Sequence, residues 1–239
     1  MPEERAVSLT VLNADTTADI GWFGKLPSAG DFMTRRVPAA FVGSWDHWLQ
    51  IGIAHSRAQL GDQFPELYLT FPVWRFLLPA SGQEAGAWCG VLMPSVDRVG
   101  RMFPLTVCQA LSADELLSAD FKGLEAHLAR FGEAGMVGLD ADSVERFEEE
   151  IAGIGPLPRG DPSRGLPLGA FSSEHAVGRW LLPGPVESSL ALSAARFMLS
   201  HLGHRALWWL PSDGATAGTV RLEHVPLRAE LFTTLITND

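Results

Sequence analysis

The hydrophobic and polar positions follow a helical period most clearly after Pro38. Apolar side chains recur there at spacings of three and four, which places them on one helix face; they are Phe41, Trp45, Trp48, Leu49, Gly52 and Ile53. Pro38 suits a first helical turn because its missing N–H is not needed there. The pattern predicts an amphipathic helix that ends near Gly61 and packs on a sheet or on another helix.

Short aromatic segments bounded by proline and glycine predict strands. They cover residues 21–24, 71–78, 87–93, 102–108, 206–210 and 219–223. Segments 87–93 and 102–108 are expected to form an antiparallel hairpin through the connection 94–101. If Met93 lies opposite Met102, Cys89 and Cys108 share one face of the sheet. Pro104 predicts an edge or a bulge within its strand.

Helical patterns dominate after Leu111. They predict helices from Ser112 to about Phe131, near 142–151, over 188–201 and from Pro226 to about Ile236. Residues 153–169 are dense in glycine and proline and predict a lobe boundary. Residues 1–19 are either a short strand or a disordered leader. The whole predicts an α+β fold over residues 20–239, an antiparallel sheet flanked by helices with a C-terminal helical and strand extension.

Composition narrows the classes of function. The formal net charge is −10, which argues against nucleic acid as the main ligand because phosphate binding needs a positive field. No secretion signal or membrane-spanning run stands out, so a cytoplasmic protein without membrane insertion is expected. The two cysteines, Cys89 and Cys108, exclude a disulfide framework and are interpreted as inert buried thiols.

The segment 21–32 (GWFGKLPSAGDF) combines glycines, a proline, aromatics and two charges, which predicts a rigid shaped loop. Lys25 does not fit a phosphate-binding loop, because Leu26 and Pro27 follow it where a Ser or Thr would be needed. Two interpretations remain. Either Lys25 and Asp31 pair across the loop, or the polar rim of the loop is a docking surface.

Asp97, Arg98 and Arg101 form the next charged group, on the connection 94–101. They are interpreted either as a solvated turn or as a site for a carboxylate, phosphate or partner, with Arg75 as a further guanidinium on the same sheet.

The remaining residues give little evidence for a metal site or a catalytic site. The histidines lack the ligand spacing of a metal site, and no Gly-x-Ser-x-Gly elbow occurs. The run 148–150 is interpreted as a solvated helix face. Trp208 and Trp209 point to opposite sides of a strand, so one of them is available to anchor a partner. No metal, cofactor or catalytic set is predicted.

Two stretches resemble the TagF/ImpM family, accessory proteins of bacterial type VI secretion. The first is segment 21–32 with the Arg35-to-Pro38 step and the Trp45-to-Leu49 helix. The second joins residues 74–76, the segment 90–101 (GVLMPSVDRVGR) and residues 103–105. The likeness covers most of the chain and is loose after Leu111.

The resemblance implies a compact, longin-like α/β domain and a non-enzymatic, cytoplasmic regulator. Members of the family are thought to repress assembly of the secretion system after translation by binding a scaffold protein with a forkhead-associated domain. The matched charged positions become partner-binding candidates: Lys25, Asp31, Asp46, Arg75, Asp97, Arg98 and Arg101.

Three hypotheses compete for these residues. In the first, loops 21–32 and 94–101 form one polar surface for a protein partner. In the second, Lys25 and Arg98 or Arg101 hold an anion or nucleotide in an enzyme, although no general base or metal set accompanies them. In the third, the charges form a buried network that only supports the sheet.

Overall fold

The structure is a computed structural model that describes residues 19–79, 86–112, 115, 121–158, 178–182, 205–211 and 218–238. Within these residues an eight-stranded sheet has the order β2-β1-β5-β4-β3-β7-β8-β6, and every neighbouring pair is antiparallel. The strands are β1 Gly21–Gly24, β2 Met33–Arg35, β3 Trp74–Pro79, β4 Ala87–Met93, β5 Leu105–Leu111, β6 Gly178–Leu182, β7 Arg205–Leu210 and β8 Gly218–His224.

Helices cover both faces of the sheet. They are α1 Ala39–Leu60, α2 Phe64–Thr70, α3 Phe121–Asp140, α4 Val144–Ala152 and α5 Ala229–Thr237. Helices α1, α2 and α5 pack on one face, while α3 and α4 pack on the other, so two apolar layers flank the sheet. This arrangement confirms the predicted α+β fold. The C-terminal strands continue the same sheet, because β7 pairs directly with β3.

Helix α1 confirms the strongest sequence prediction. Its apolar stripe is buried, and it ends at Gly61, whose φ of 53° favours glycine. A Cβ on Gly52 would lie 2.5 Å from the Cβ of Phe232, so glycine permits the close approach of α1 and α5. Trp45 Nε1 donates a hydrogen bond to Thr106 Oγ1 at 2.8 Å, which ties the helix to β5. Helix α2 was not predicted.

The predicted register of the β4–β5 hairpin is wrong. Met93 lies opposite Leu105, three residues beyond the predicted Met102, and Met102 instead bridges Val96. Strand β5 begins after Pro104, which has no N–H for the ladder, so this proline lies outside the strand.

An odd shift of register reverses the face of every side chain. Cys89 therefore packs against α3 and α4, while Cys108 packs against the layer of α1. Both thiols are fully buried, and burial raises the pKa of Cys89 to about 12, as expected of inert cysteines.

Helix α3 continues to Asp140 instead of ending near Phe131, and two of its glycines allow close packing on neighbouring elements. A Cβ on Gly135 would lie 2.3 Å from Met93 Cε, and one on Gly138 would lie 2.7 Å from a ring carbon of Phe147. These glycines therefore bring the helix close to β4 and α4. Near the predicted start, Ser112 and Glu115 exchange the hydrogen bonds of a capping box.

Among the remaining predictions, several elements are confirmed, one expectation is wrong and three segments lie outside the described residues. Helix α4, strands β7 and β8 and helix α5 confirm elements expected there. Trp208 and Trp209 do face opposite sides, but both are buried, so the expectation of an exposed anchor is wrong. The leader 1–18, residues 159–169 of the predicted boundary and the helix 188–201 lie outside the described residues.

Candidate functional site

Two loops meet at one end of the sheet. The first loop, residues 25–32, joins β1 to β2, and the second loop, residues 94–104, joins β4 to β5. Strand β1 pairs with β5 in antiparallel fashion, so the end of β1 lies beside the start of β5. Gly24 is required at this junction, since its φ is 143° and a Cβ there would lie 2.2 Å from the carbonyl oxygen of Pro104. We call these two loops together the two-loop site.

Hydrogen bonds join the two loops along their length. Ser95 Oγ donates to the carbonyl of Lys25 at 2.6 Å. The backbone N–H of Arg98 donates to the carbonyl of Ala29 at 3.1 Å. The guanidinium of Arg101 donates to the carbonyl of Gly30 at 2.8 Å. The loops therefore lie side by side, as predicted.

The carboxylate of Asp97 is the centre of this site, and its side chain is fully buried. Oδ1 accepts hydrogen bonds from the backbone N–H groups of Val99 and Arg101, at 3.1 and 2.8 Å. Oδ2 accepts from Lys25 Nζ at 2.9 Å and from Arg101 Nε at 2.6 Å. Burial alone would raise the pKa of Asp97, but these donors outweigh it and hold the pKa well below its usual range.

Lys25 is the buried partner of Asp97. Its ammonium also lies 4.7 Å from the centre of the Phe32 ring, within the range of a cation–π contact. The expected pair between Lys25 and Asp31 is therefore wrong. Asp31 is exposed and instead accepts a hydrogen bond from the backbone N–H of Phe32 at 2.8 Å. The second loop supplies an acceptor already desolvated and held by backbone donors, which an exposed carboxylate does not offer.

Phe32 and Tyr68 support the site, and the sequence analysis gave neither a role. Phe32 packs edge-on against Phe103, with ring centres 4.7 Å apart. Tyr68, on α2, donates its hydroxyl hydrogen to the carbonyl of Ser95 at 2.8 Å, and burial raises its pKa. The position of Phe32 within segment 21–32 was a sequence signal for its role in the site. Tyr68 reaches the site through a long-range contact, which leaves no signal in the sequence.

The outer surface of the two-loop site carries exposed cations beside apolar groups. The Arg101 side chain is 60% exposed although its Nε is bound to Asp97. Val99 is 71% exposed and Phe32 is 45% exposed. Arg98 is also exposed, and its guanidinium lies against Gly30, where an added Cβ would stand 3.3 Å away. We call Arg98, Val99 and Arg101 the arginine tip.

Arg75 and Asp46 have their contacts elsewhere. Arg75 pairs with Glu125 of α3 at 2.8 Å, and burial lowers the pKa of Arg75 while Glu125 partly offsets that effect. Glu125 also accepts a hydrogen bond from Trp209 Nε1 at 2.8 Å. Asp46, on α1, accepts from Gln50 at 2.6 Å, and partial burial raises its pKa. The seven candidates therefore divide among three places.

Glu148 corrects the interpretation of residues 148–150 as one solvated face. Its carboxylate accepts hydrogen bonds from the indole of Trp22 and from Arg36, the latter at 2.7 Å. Glu149 and Glu150 are exposed, as expected. Glu148 thus links α4 to the first strands and the segment that follows them.

Within the described ranges, no three histidine, cysteine, aspartate or glutamate side chains gather as a metal site. In the same part of the chain, no helix combines the length and the apolar character that crossing a bilayer requires.

Comparisons with known proteins agree with this architecture. A family model described as the TagF N-terminal domain, type VI secretion system-associated, matches residues 21–154, more than half of the 239 residues. The chain therefore belongs to this type VI secretion system-associated family, which confirms the predicted resemblance. The matched range contains both loops of the two-loop site.

A solved structure is similar over nearly the whole chain. It is the crystal structure of PA0076 from Pseudomonas aeruginosa PAO1 at 2.05 Å resolution, with 30% sequence identity and a TM-score of 0.66. The alignment covers 92% of this chain and 95% of that chain. No curated protein matches the sequence.

Proposed function

We propose that this protein is a non-enzymatic, cytoplasmic accessory protein of the type VI secretion system. It represses assembly of the system after translation by binding a scaffold protein that has a forkhead-associated domain. Membership of the family supports the link with secretion. The observation that carries the binding role is the position of Asp97, which joins both loops and leaves the arginine tip exposed.

The chemistry of the exposed groups favours an interface. Arginine and aromatic side chains are enriched among the residues that dominate binding energy at protein interfaces. Here Arg98 and Arg101 stand beside Val99 and Phe32 on loops fixed by several hydrogen bonds. A surface that is already ordered loses less conformational entropy on binding. The two-loop site therefore has both the side chains and the rigidity of a docking surface.

The alternative is an enzyme that binds an anion or nucleotide through Lys25 and Arg98 or Arg101. The surroundings of Lys25 argue against such an enzyme, because the ammonium is buried, bound to Asp97 at 2.9 Å and covered by Phe32. The exposed guanidiniums of Arg98 and Arg101 are the feature in its favour. A saturable thermal shift with nucleotides or acyl phosphates, abolished by Arg98→Glu, would support this alternative.

The proposal is tested by replacing Arg98 with glutamate and measuring binding of the purified scaffold protein by calorimetry. The substitution reverses an exposed charge, so we expect at least about tenfold weaker binding with the melting temperature nearly unchanged. Arg35→Glu is the matched control, because Arg35 is exposed on β2 and its guanidinium donates a hydrogen bond to the carbonyl of the neighbouring Thr34. Equal binding by wild type and Arg98→Glu would refute the role of the arginine tip.

A further inference from the structure

An apolar groove of about 440 Å³ adjoins the bases of both loops. Its walls come from the end of α2 and the linker to β3, from the two loops and from α3. The residues that shape it are Pro27, Leu69, Val73, Val96, Met136 and Leu139. The volume lies within the range of clefts that bind ligand groups. The groove is therefore large enough to receive side chains of another molecule.

Exposed apolar residues concentrate around this groove and the two-loop site. Among the described residues, the large hydrophobic side chains that remain exposed are Phe32, Ile51, Leu69, Val99 and Met136. Leu69 and Met136 line the groove, at 51% and 55% exposure, while Phe32 and Val99 belong to the two-loop site. Only Ile51 of this set lies elsewhere, on α1. Exposed apolar surface gathered in this way marks interaction sites.

The groove and the arginine tip share the second loop. Val96 lines the groove, and Arg98 follows it by two residues, a backbone distance of about 7 Å at most. Pro27 and Ser95 also line the groove, and Ser95 Oγ joins the two loops by its hydrogen bond to the carbonyl of Lys25 at 2.6 Å. A bound segment that leaves the groove past Val96 therefore reaches the two exposed guanidiniums.

Charge determines where the acidic residues of such a segment lie. Arg98 and Arg101 attract carboxylates at the loop end. Exposed carboxylates stand beside the groove walls, on α2 and α3, and they repel acidic residues along the groove itself; they are Glu66, Glu133 and Asp140. A complementary segment has apolar side chains in the groove and acidic residues only where it passes the arginine tip.

We propose that the groove and the arginine tip form one docking track for a single segment of the scaffold partner. Apolar side chains of that segment fill the groove between Leu69 and Met136, and its acidic end meets Arg98 and Arg101. This inference rests on the proposed function and adds the chemical character and the direction of the bound segment.

Photo-crosslinking tests the track on the full chain with the purified scaffold protein. Benzoylphenylalanine is placed at position 136, 99 or, as the control, 51, which is exposed and apolar but lies on α1, outside the groove lining. We expect crosslinks from 136 and 99 to one scaffold segment, with acidic residues nearer the crosslink from 99. Crosslinks to separate segments, to a second copy of this chain, or from 51 as readily as from 136 would overturn the inference.

Affinity separates failure of the track from failure of the proposed function. Met136→Glu adds a carboxylate to an exposed groove position and should weaken scaffold binding at least about fivefold, whereas Ile51→Glu should not. If Arg98→Glu abolishes binding and Met136→Glu does not weaken it, the track is wrong and the proposed function stands. If the wild-type chain does not bind the scaffold, both are wrong.

Discussion

Two ion pairs in this molecule, one buried and one half-buried, use similar chemistry for different ends. Lys25–Asp97 joins two loops at the end of the sheet, and Arg75–Glu125 joins β3 to α3 across one face. Asp97 receives four hydrogen bonds, two of them from the backbone of its own loop, so it shapes that loop as well as pairing with Lys25. The carboxylate of Glu125 instead accepts from two side chains, those of Arg75 and Trp209.

Burial of a charge therefore does not by itself mark a binding residue. The Arg75 pair lies beside the buried Trp209, whereas the Asp97 network places Val99 and Arg101 at the surface. Both pairs should support stability, since removing one partner leaves the other unpaired and at least partly desolvated. Only the loop pair should support binding.

The largest effect is expected from Asp97→Ala. The substitution leaves Lys25 without its carboxylate and removes the acceptor of two backbone N–H groups, so both loops lose their geometry. We expect the melting temperature to fall by roughly 10 °C and scaffold binding to be lost. Calorimetry and a binding titration measure the two effects. An unchanged melting temperature would contradict the central place of Asp97.

Glu125→Gln should destabilise the protein without affecting binding. The amide keeps an acceptor for Trp209 but removes the charge that faces Arg75. We expect a fall in melting temperature of about 5 °C and an unchanged scaffold affinity. Loss of affinity from this variant, measured below its melting transition, would abolish the distinction between the two ion pairs.

The two-loop site and helix α3 should also differ in how their contributions to stability respond to acid. The pKa of Asp97 is lowered in the fold, so its contribution to stability is present above the unfolded value of about 3.9 and is lost as the pH falls below it. Denaturant titrations between pH 5 and pH 2 should show the loss, and Asp97→Asn should flatten the curve in that window. An equally steep curve for the variant would be evidence against this linkage.

His127 should contribute to the pH dependence of stability at a higher pH than Asp97. It lies on α3, bonds Gln109 at 2.8 Å, and burial together with Arg130 lowers its pKa to about 4. The neutral form is therefore favoured in the fold, and its contribution is present above pH 6.5 and is lost as the pH falls toward 4. His127→Gln should remove this part of the pH dependence and leave the part due to Asp97. A slope unchanged between pH 6.5 and 4 would contradict the assignment.

The smallest effect on stability is expected from Val99→Ala. The side chain is 71% exposed, so the melting temperature should change by no more than about 1 °C. Scaffold binding should weaken by a few-fold, because the residue belongs to the proposed interface. Binding equal to that of the wild type would remove Val99 from the contact surface.

The sequence predicts elements better than it predicts contacts between them. Helix α1 follows from a stripe whose spacing and terminal Gly61 are local signals. The register of β4 and β5 depends on where pairing resumes after Pro104, and the bridge between Val96 and Met102 could not be read from the alternation of residues.

The candidate site shows the same limit. Segment 21–32 and the connection 94–101 both stand out by composition, and their proximity was predicted. The partner of Lys25 was not, because Asp31 is near in sequence whereas Asp97 is brought close only by the pairing of β1 with β5. Long-range pairing thus decides which of the charges become buried and which remain available to a partner.

In the binding mode that we propose, Asp97 unites two loops into one surface for the scaffold. Amide hydrogen exchange of this chain, with and without the purified scaffold protein, tests it most directly. We expect residues 25–32 and 94–104 to gain protection together, while α1 between Ala39 and Leu60 does not change. Protection confined to α1, or to one loop without the other, would contradict it.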